Sequence, residues 1–448
     1  MKSKVKKLIK QITPQFILSF YHLTLAWLAS IYYRNPSKSM IIIGITGTKG
    51  KSSVASFIWS CLEGAGYKTG VTSTAVIKIG KEEFPNTYHM TMPGRFALQK
   101  LLSRMYKAGC KFAIVETTSE GLKQWRHVGI NYDFVIFTNL YPEHLPSHND
   151  SMEEYKKAKG KLFDYLMKTG AAKNLGGNRV PKTAIVNNDS RDKDFFLSFP
   201  AEKKITYGIK SGDISASEII SNENGSIFKT GNSKFAITIP GEFNIENALP
   251  AIAICRSLGI SENKIAQGLL NLKTIPGRME TINRGQPFKV YVDYAHQKES
   301  MEALLKTGRK MVIKTNGRVI VLLGAEGGGR DKAKRPAMGM LAGALADYVV
   351  VSNVDPYDDD PQEIIEDIAK ASEGEGKIRN KDLFCIEDRR EGIRKALSMA
   401  QPNDVVLITG KGSEQSIIIG GKTYPWDDRN VVKEELIKLN DKNNQSKN

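Results

Sequence analysis

Ile41-Ile42-Ile43-Gly44-Ile45-Thr46-Gly47-Thr48-Lys49-Gly50-Lys51-Ser52-Ser53 joins an unbroken apolar run to a glycine-rich, basic turn. Such a run predicts a buried strand, then a loop and a helix start, an arrangement that aims backbone N–H groups at phosphate oxygens. Gly47 and Gly50 let the backbone approach an anion, Lys51 brings positive charge, and Ser52 offers a hydroxyl to Mg²⁺. The generic phosphate-loop pattern places a glycine five residues before Gly50; here that position is Ile45, with glycines at 44 and 47 instead. Val54, Phe57, Ile58, Cys61, Leu62 and Ala65 then recur at helical spacing until Gly64 and Gly66 end the helix.

A chain of 448 residues is too long for one compact core, so two or three domains are expected. Hydrophobic residues at 41% and charged residues at 25% fit a soluble globular protein. The four cysteines, at 61, 110, 255 and 385, form no CxxC pair, which argues against a disulfide framework or structural zinc and for a reducing cytoplasm. The net charge of +17 is unevenly placed: Lys2, Lys4, Lys6, Lys7, Lys10, Arg34 and Lys38 fall in residues 1–38, which hold no acid. No nucleic-acid-binding motif accompanies the rest, so no nucleic-acid partner is expected.

From Phe16 to Tyr33 the chain is mostly apolar, near the lower limit for a membrane span. The lysines ahead of it would send a nucleotide-binding body to the wrong side, and Ser19, His22 and Thr24 interrupt it. A helix lying on the membrane face or packed on the protein body is the expectation, with peripheral membrane contact through residues 1–38.

Two more apolar runs, 112–115 and 134–137, predict parallel strands that deliver Glu116 and then Thr138, Asn139, Glu143 and His144 to the ligand-facing end of the sheet. Ser151 to Glu154 reads as a capping box, and Met152, Tyr155, Leu162, Phe163 and Leu166 mark the apolar face of the helix that follows. Lys159 falls on that face, where a lysine must snorkel, pair or be modified. Residues 203–240 read as antiparallel hairpins on the sheet edge. After Pro276-Gly277, strands at 289–293, 318–323, 348–352, 383–387 and 405–409 alternate with helices, which predicts a second α/β unit with a mostly parallel sheet and a hinge between the two.

Thr46 to Ser52, Glu116-Thr117-Thr118-Ser119, Thr138-Asn139-Leu140 with Glu143-His144, and Tyr155 to Lys159 together resemble, in order, motifs of the Mur ligases. Gly241 to Ala248, Pro276 to Glu280, Val292 to His296, Gly328 to Lys332 and Gly410 to Glu414 agree, and the muramyl-tripeptide synthetase branch is the nearest.

The resemblance implies a P-loop central domain with a parallel sheet over 39–275, a Rossmann-like α/β domain over 276–448, and a short helical segment over 1–38. It implies an ATP- and Mg²⁺-dependent acid–amino-acid ligase that adds a third residue, lysine or a diamino acid, to a nucleotide-linked muramyl dipeptide, acting as a monomer. Lys51, Glu116, His144 and Lys159 would be catalytic, with Lys159 carried as a carbamate and Ser52, Glu116, His144 and Lys159 holding metal. Gly47, Thr48, Lys49, Gly50, Lys51, Ser52, Ser53, Asn244, Asn247, Arg278, Asp293 and His296 would bind nucleotide. Thr91, Thr118, Ser119, Arg126, Arg330, Asp355 and Glu414 would bind the other substrates.

Two departures qualify the resemblance. Members of the branch that add meso-diaminopimelate usually show Asp-Asn-Pro-Arg at the acceptor site, where this chain has Val354-Asp355-Pro356-Tyr357; tyrosine cannot make a bidentate contact to a carboxylate, which speaks against diaminopimelate. Asp358, Asp359 and Asp360 follow, suited either to a cationic acceptor or to capping the helix from Pro361. The family also places about a hundred residues of uridine-diphosphate-binding domain before the phosphate loop, where about forty stand here; the uridine end would be gripped differently, or the donor carried on lipid. A folylpolyglutamate- or cyanophycin-type ligase, or a membrane-docked P-loop ATPase, are the alternatives.

Overall fold

A computed structural model describes residues 14–445 except 87, 89, 144 and 330. The chain divides into two compact units: Met1–Ser217 with Lys229–Phe235 and Glu246–Asn271, and Glu218–Phe228 with Ala236–Ile245 and Leu272–Asn448.

The first unit is built on a nine-stranded sheet. Its strands are β1 (Ile41–Thr46), β2 (Thr69–Thr72), β3 (Ile77–Ile79), β4 (Glu82–Phe84), β5 (Phe112–Glu116), β6 (Phe134–Phe137), β7 (Thr183–Asn187), β8 (Lys203–Gly208) and β9 (Ile214–Ser215), in the order β9-β8-β7-β6-β1-β5-β2-β3-β4. All pairs from β9 to β2 are parallel; β3 and β4 turn back antiparallel. Strand β1 is buried at all six positions, as expected of a parallel strand covered on both faces.

Helix α1 (Gln15–Tyr32) packs on α3 (Arg95–Lys107). No helix among the described residues is long and apolar enough to cross a membrane. Helix α2 (Lys51–Gly64) follows β1 and buries Val54, Phe57, Ile58, Cys61 and Leu62, each large side chain contributing about 1.5–3 kcal/mol. In helix α5 (Met152–Leu166), Ser151 caps the first turn by accepting from the Glu154 N–H, and Tyr155, Leu162, Phe163 and Leu166 face the core with Lys159 among them.

The expectation for 203–240 needs correcting. Residues 203–208 are a strand of the main sheet, parallel to β7, and the strands at 217–222, 225–230 and 233–237 form a sheet of their own. The second half of the stretch does not extend the main sheet edge.

The second unit carries a six-stranded sheet of β10 (Glu280–Thr281), β11 (Lys289–Asp293), β12 (Val319–Leu323), β13 (Tyr348–Val351), β14 (Leu383–Cys385) and β15 (Val405–Thr409), in the order β10-β11-β15-β12-β13-β14. It is parallel except for the edge pair β10–β11. Val290, Val292, Ile320, Leu322, Val406 and Ile408 form the centre of its core.

Candidate active site

The loop after β1 sits where three parallel strands end together, the position at which open α/β sheets bind ligands. The Thr117 N–H, just past β5, donates to the Ile45 carbonyl, and the Thr138 N–H, just past β6, donates to that of Thr46. Gly47 and Gly50 have φ of +144° and +81°, which side chains rarely adopt. A Cβ on Gly47 would lie 1.9 Å from Thr138 Oγ1, and one on Gly50 would lie 2.2 Å from Asn247 Oδ1. The loop is therefore clamped from both sides: Thr138 Oγ1 donates to the Lys49 carbonyl, and the Lys49 N–H donates to Asn139 Oδ1. Thr48 Oγ1 accepts from the Tyr141 N–H and lies 3.2 Å from the Tyr155 hydroxyl.

Around this loop stand the charged groups. Lys51 Nζ donates to the Thr48 carbonyl and lies 4.0 Å from Glu116 Oε1. Glu116 is 2% exposed and accepts from Ser52 Oγ at 2.8 Å and from the N–H and hydroxyl of Thr74. Lys49 Nζ pairs with Glu143 at 3.1 Å. Ser53 is buried in the first turn of α2.

Lys159 is also 2% exposed, and its Nζ donates to the Gly47 carbonyl at 2.7 Å while lying 4.4 Å above the Tyr155 ring. Burial, reinforced by the nearby Lys51 charge, holds its amine well below the ordinary lysine range. Burial thus disfavours the charged form of the amine at the edge of the phosphate loop.

Two oxygen donors, the Ser52 hydroxyl and the Glu116 carboxylate, fit Mg²⁺, which takes one or two protein oxygens beside phosphate oxygens and water. Among the described residues no three His, Cys, Asp or Glu side chains cluster as metal ligands. His144 lies outside the described residues, as does Arg330.

A second group of expected residues gathers beside Glu116. Thr91 Oγ1 lies 2.7 Å from Thr74 Oγ1; Thr118 caps the short helix α4 (Ser119–Lys123), and Ser119 Oγ lies 3.0 Å from His148 Nε2. Arg126 donates to the Met92 carbonyl and to Gln124 Oε1, and Arg95 to the Gln124 carbonyl. Neither guanidinium has a carboxylate partner among the described residues, and the Nε atom of each is buried without a hydrogen bond. Burial and the Arg126 charge lower the Arg95 pKa to about 10, and burial lowers that of Arg126. Arg95 and Thr74 were not among the expected site residues; a side chain that reaches the site through a few polar contacts leaves no periodic trace in sequence.

In the second unit, Asp293 at the end of β11 accepts from the N–H groups of Met279 and Ala295, and burial lifts its carboxyl pKa against the pull of Arg278. Arg278 lies 4.3 Å from the Tyr294 ring, and His296 Nδ1 lies 2.7 Å from the Tyr294 carbonyl oxygen, so Arg278, Asp293 and His296 converge. Asn244 donates to the Pro240 carbonyl, whereas Asn247, in the first unit, lies against Gly50. Lys411 is buried between Asp355 at 2.7 Å and Glu414 at 2.6 Å, and the Tyr294 hydroxyl donates to Glu414. Burial opposes the ammonium, but these two carboxylates hold its pKa above the ordinary value. Tyr357 has φ of +58°; Asp360 caps the helix Pro361–Gly374, and Asp359 lies 3.8 Å from Arg335.

The description "Mur ligase middle domain" matches residues 45–255, and "Mur ligase, glutamate ligase domain" matches 277–412. The chain is 37% identical over 417 residues to the UDP-N-acetylmuramoyl-L-alanyl-D-glutamate--2,6-diaminopimelate ligase of Caldanaerobacter subterraneus subsp. tengcongensis, covering 92% of this chain and 81% of the relative. It is 35% identical over 424 residues to the UDP-N-acetylmuramyl-tripeptide synthetase of Roseiflexus sp., covering 93% and 82%. A solved UDP-N-acetylmuramoyl-L-alanyl-D-glutamate--2,6-diaminopimelate ligase superposes with a TM-score of 0.59 at 27% identity, covering 90% of this chain and 79% of that one. Mycobacterium tuberculosis folylpolyglutamate synthase complexed with ADP superposes with a TM-score of 0.69 at 16% identity over 92% and 95%, a likeness of fold alone. The clamped phosphate loop, the α/β architecture of both units and these matches agree: the chain belongs to the Mur ligase family of ATP-dependent amide-bond-forming ligases.

Proposed function

We propose that this ligase adds the third amino acid to UDP-MurNAc-L-Ala-D-Glu in the cytoplasm, as a monomer, through an acyl phosphate. The observation that carries the reading is the buried Lys159 amine hydrogen-bonded to the phosphate loop itself, beside the Ser52–Glu116 pair. A neutral amine can attack CO₂: an N–C bond forms, one proton leaves to water, and the product is a carbamate anion. That modification turns an unfavourably buried base into an oxygen ligand beside Ser52 and Glu116.

Mg²⁺, held by Ser52, Glu116 and the modified Lys159, would neutralise charge on the phosphate oxygens. The N–H groups of loop 47–52 and the Lys51 ammonium orient the γ-phosphoryl group of ATP. The paired guanidiniums of Arg95 and Arg126, which form no salt bridge among the described residues although the Glu120 charge acts on Arg126, suit the carboxylates of the donor peptide. The donor carboxylate attacks the γ-phosphorus and ADP leaves. The acceptor amine then attacks the acyl carbon and inorganic phosphate departs, so the protein contributes mainly position and charge neutralisation.

In the second unit, Asp355 and Glu414 share one ammonium, Lys411, leaving net negative charge that favours an acceptor with a cationic end. With Tyr357 in place of the family arginine, we assign the acceptor as lysine or a diamino acid. The test is phosphate release from ATP with UDP-MurNAc-L-Ala-D-Glu, comparing L-lysine, meso-diaminopimelate and no acceptor. Release that requires donor and one acceptor supports the ligase and names its amino acid. Donor-independent release would favour the ATPase reading.

A further inference from the structure

Helix α1 is apolar on nearly every side, yet only one side is covered. Ala26, Ala29 and Ser30 are buried against the body; Ser30 Oγ donates to the Gly129 carbonyl, and Trp125 Nε1 donates to Ser19 Oγ at 2.6 Å. On the opposite side Ile17, Phe20, Tyr21, Trp27, Leu28 and Ile31 are exposed, Phe20 at 71%. At 3.6 residues per turn these positions fall within one arc of about 120°. Thr24, in the middle of the arc, turns its hydroxyl back onto the Phe20 carbonyl. Tyr32, 72% exposed, extends the surface to Phe96 on α3, with ring centroids 6.2 Å apart. A helix that is hydrophobic all round is ordinarily buried, so a strip this long calls for a cover.

Charge indicates which cover. No charged residue falls between Gln15 and Tyr33. Lys2, Lys4, Lys6, Lys7 and Lys10 precede the helix, Arg34 and Lys38 follow it, and the first acid in the chain is Glu63. In sequence, basic residues stand on both sides of a strip rich in Tyr, Trp and Phe, a pattern that matches an anionic headgroup layer with acyl chains beneath it. A second copy of the chain carries the same excess of basic residues and offers no complementary charge. The helix does not qualify as a membrane span, so it would lie along the surface for about 27 Å.

We propose that the exposed face of α1 docks on an anionic lipid bilayer, holding the body against the membrane surface. Full-length protein is floated with vesicles of phosphatidylcholine alone or with added phosphatidylglycerol, at low and high salt. Binding on the order of tenfold greater to the anionic vesicles, and weakened by salt, is expected. The variant F20E/W27E/I31E, altered only at exposed positions, should stay in solution while keeping the parent's affinity for ATP. Failure of the parent to float with either vesicle, or equal flotation of the variant, overturns the proposal. So does a parent dimer that the variant dissociates without any vesicle binding, which would assign the face to a second copy.

Discussion

Lys159→Ala separates the chemistry of this site from the stability of the fold. Truncating the side chain removes about three buried methylenes, worth about 0.8 kcal/mol each, and the donor to the Gly47 carbonyl, worth about 1 kcal/mol. It also removes an amine whose burial is so unfavourable that its pKa is driven well down, a relief of about 1–3 kcal/mol. The terms largely offset, so a net loss of about 0.5–2.5 kcal/mol and a fall in Tm of only a few degrees are expected. Turnover should fall by about 10³-fold or more, because the proposed carbamate that would hold Mg²⁺ beside the phosphates is gone. Thermal unfolding and ATP-dependent phosphate release on the same preparation give both numbers. Small carboxylates such as acetate, which fit the vacated space and restore a negative oxygen pair, should recover part of the activity; high bicarbonate should not. Full activity in the variant would refute the carbamate, and a large fall in Tm with loss of ATP binding would refute the separation of chemistry from packing.

Gly50→Ala forces a left-handed residue to carry a Cβ that meets Asn247 Oδ1 at 2.2 Å, a cost of about 1–2 kcal/mol in backbone strain alone. The Kd for ATP, read by calorimetry, should rise about tenfold or more, and an unchanged value would contradict the clamped loop. Arg95→Gln should raise the KM for the donor about tenfold, the loss of one charge-assisted hydrogen bond, while leaving the Kd for ATP unchanged; an unaffected KM would remove Arg95 from the donor site. Glu435, in the C-terminal helix, resists ionisation through burial but accepts from Arg394, Lys438 and Arg390, which bring its pKa down to about 2 from an ordinary 4.5. Its contribution to stability is complete above the ordinary value and lost as pH falls through about 2. The stability gap between parent and Glu435→Gln, measured by denaturant titration, should therefore narrow steadily from pH 5 to pH 2; a constant gap would contradict it.

The strand-loop-helix of residues 41–64 was legible because a covered parallel strand must be apolar throughout and a loop this tight requires glycine at Gly47 and Gly50. Lys159 was legible for a related reason: helical spacing from Tyr155 to Leu162 fixes the face, and a lysine on that face has nowhere else to go. Strand β8 was misread because it was grouped with the alternating runs at 226–228 and 235–239, and only Ile205, Thr206 and Tyr207 of its own residues alternate. It lies one strand from the sheet edge, where β9 spans only two residues and leaves Lys203 and Lys204 exposed. Arg95 and Thr74 left no trace, since a side chain that reaches a site from a helix start or a loop obeys no period.

The claim that the site activates a carboxylate by phosphorylation is tested most directly with UDP-MurNAc-L-Ala-D-Glu carrying ¹⁸O in the reacting carboxylate. Turnover with the preferred acceptor should place one ¹⁸O in the released inorganic phosphate and keep the other in the new amide, read by mass spectrometry. Unlabelled phosphate accompanying product formation would contradict the acyl phosphate and the account of the site built on it.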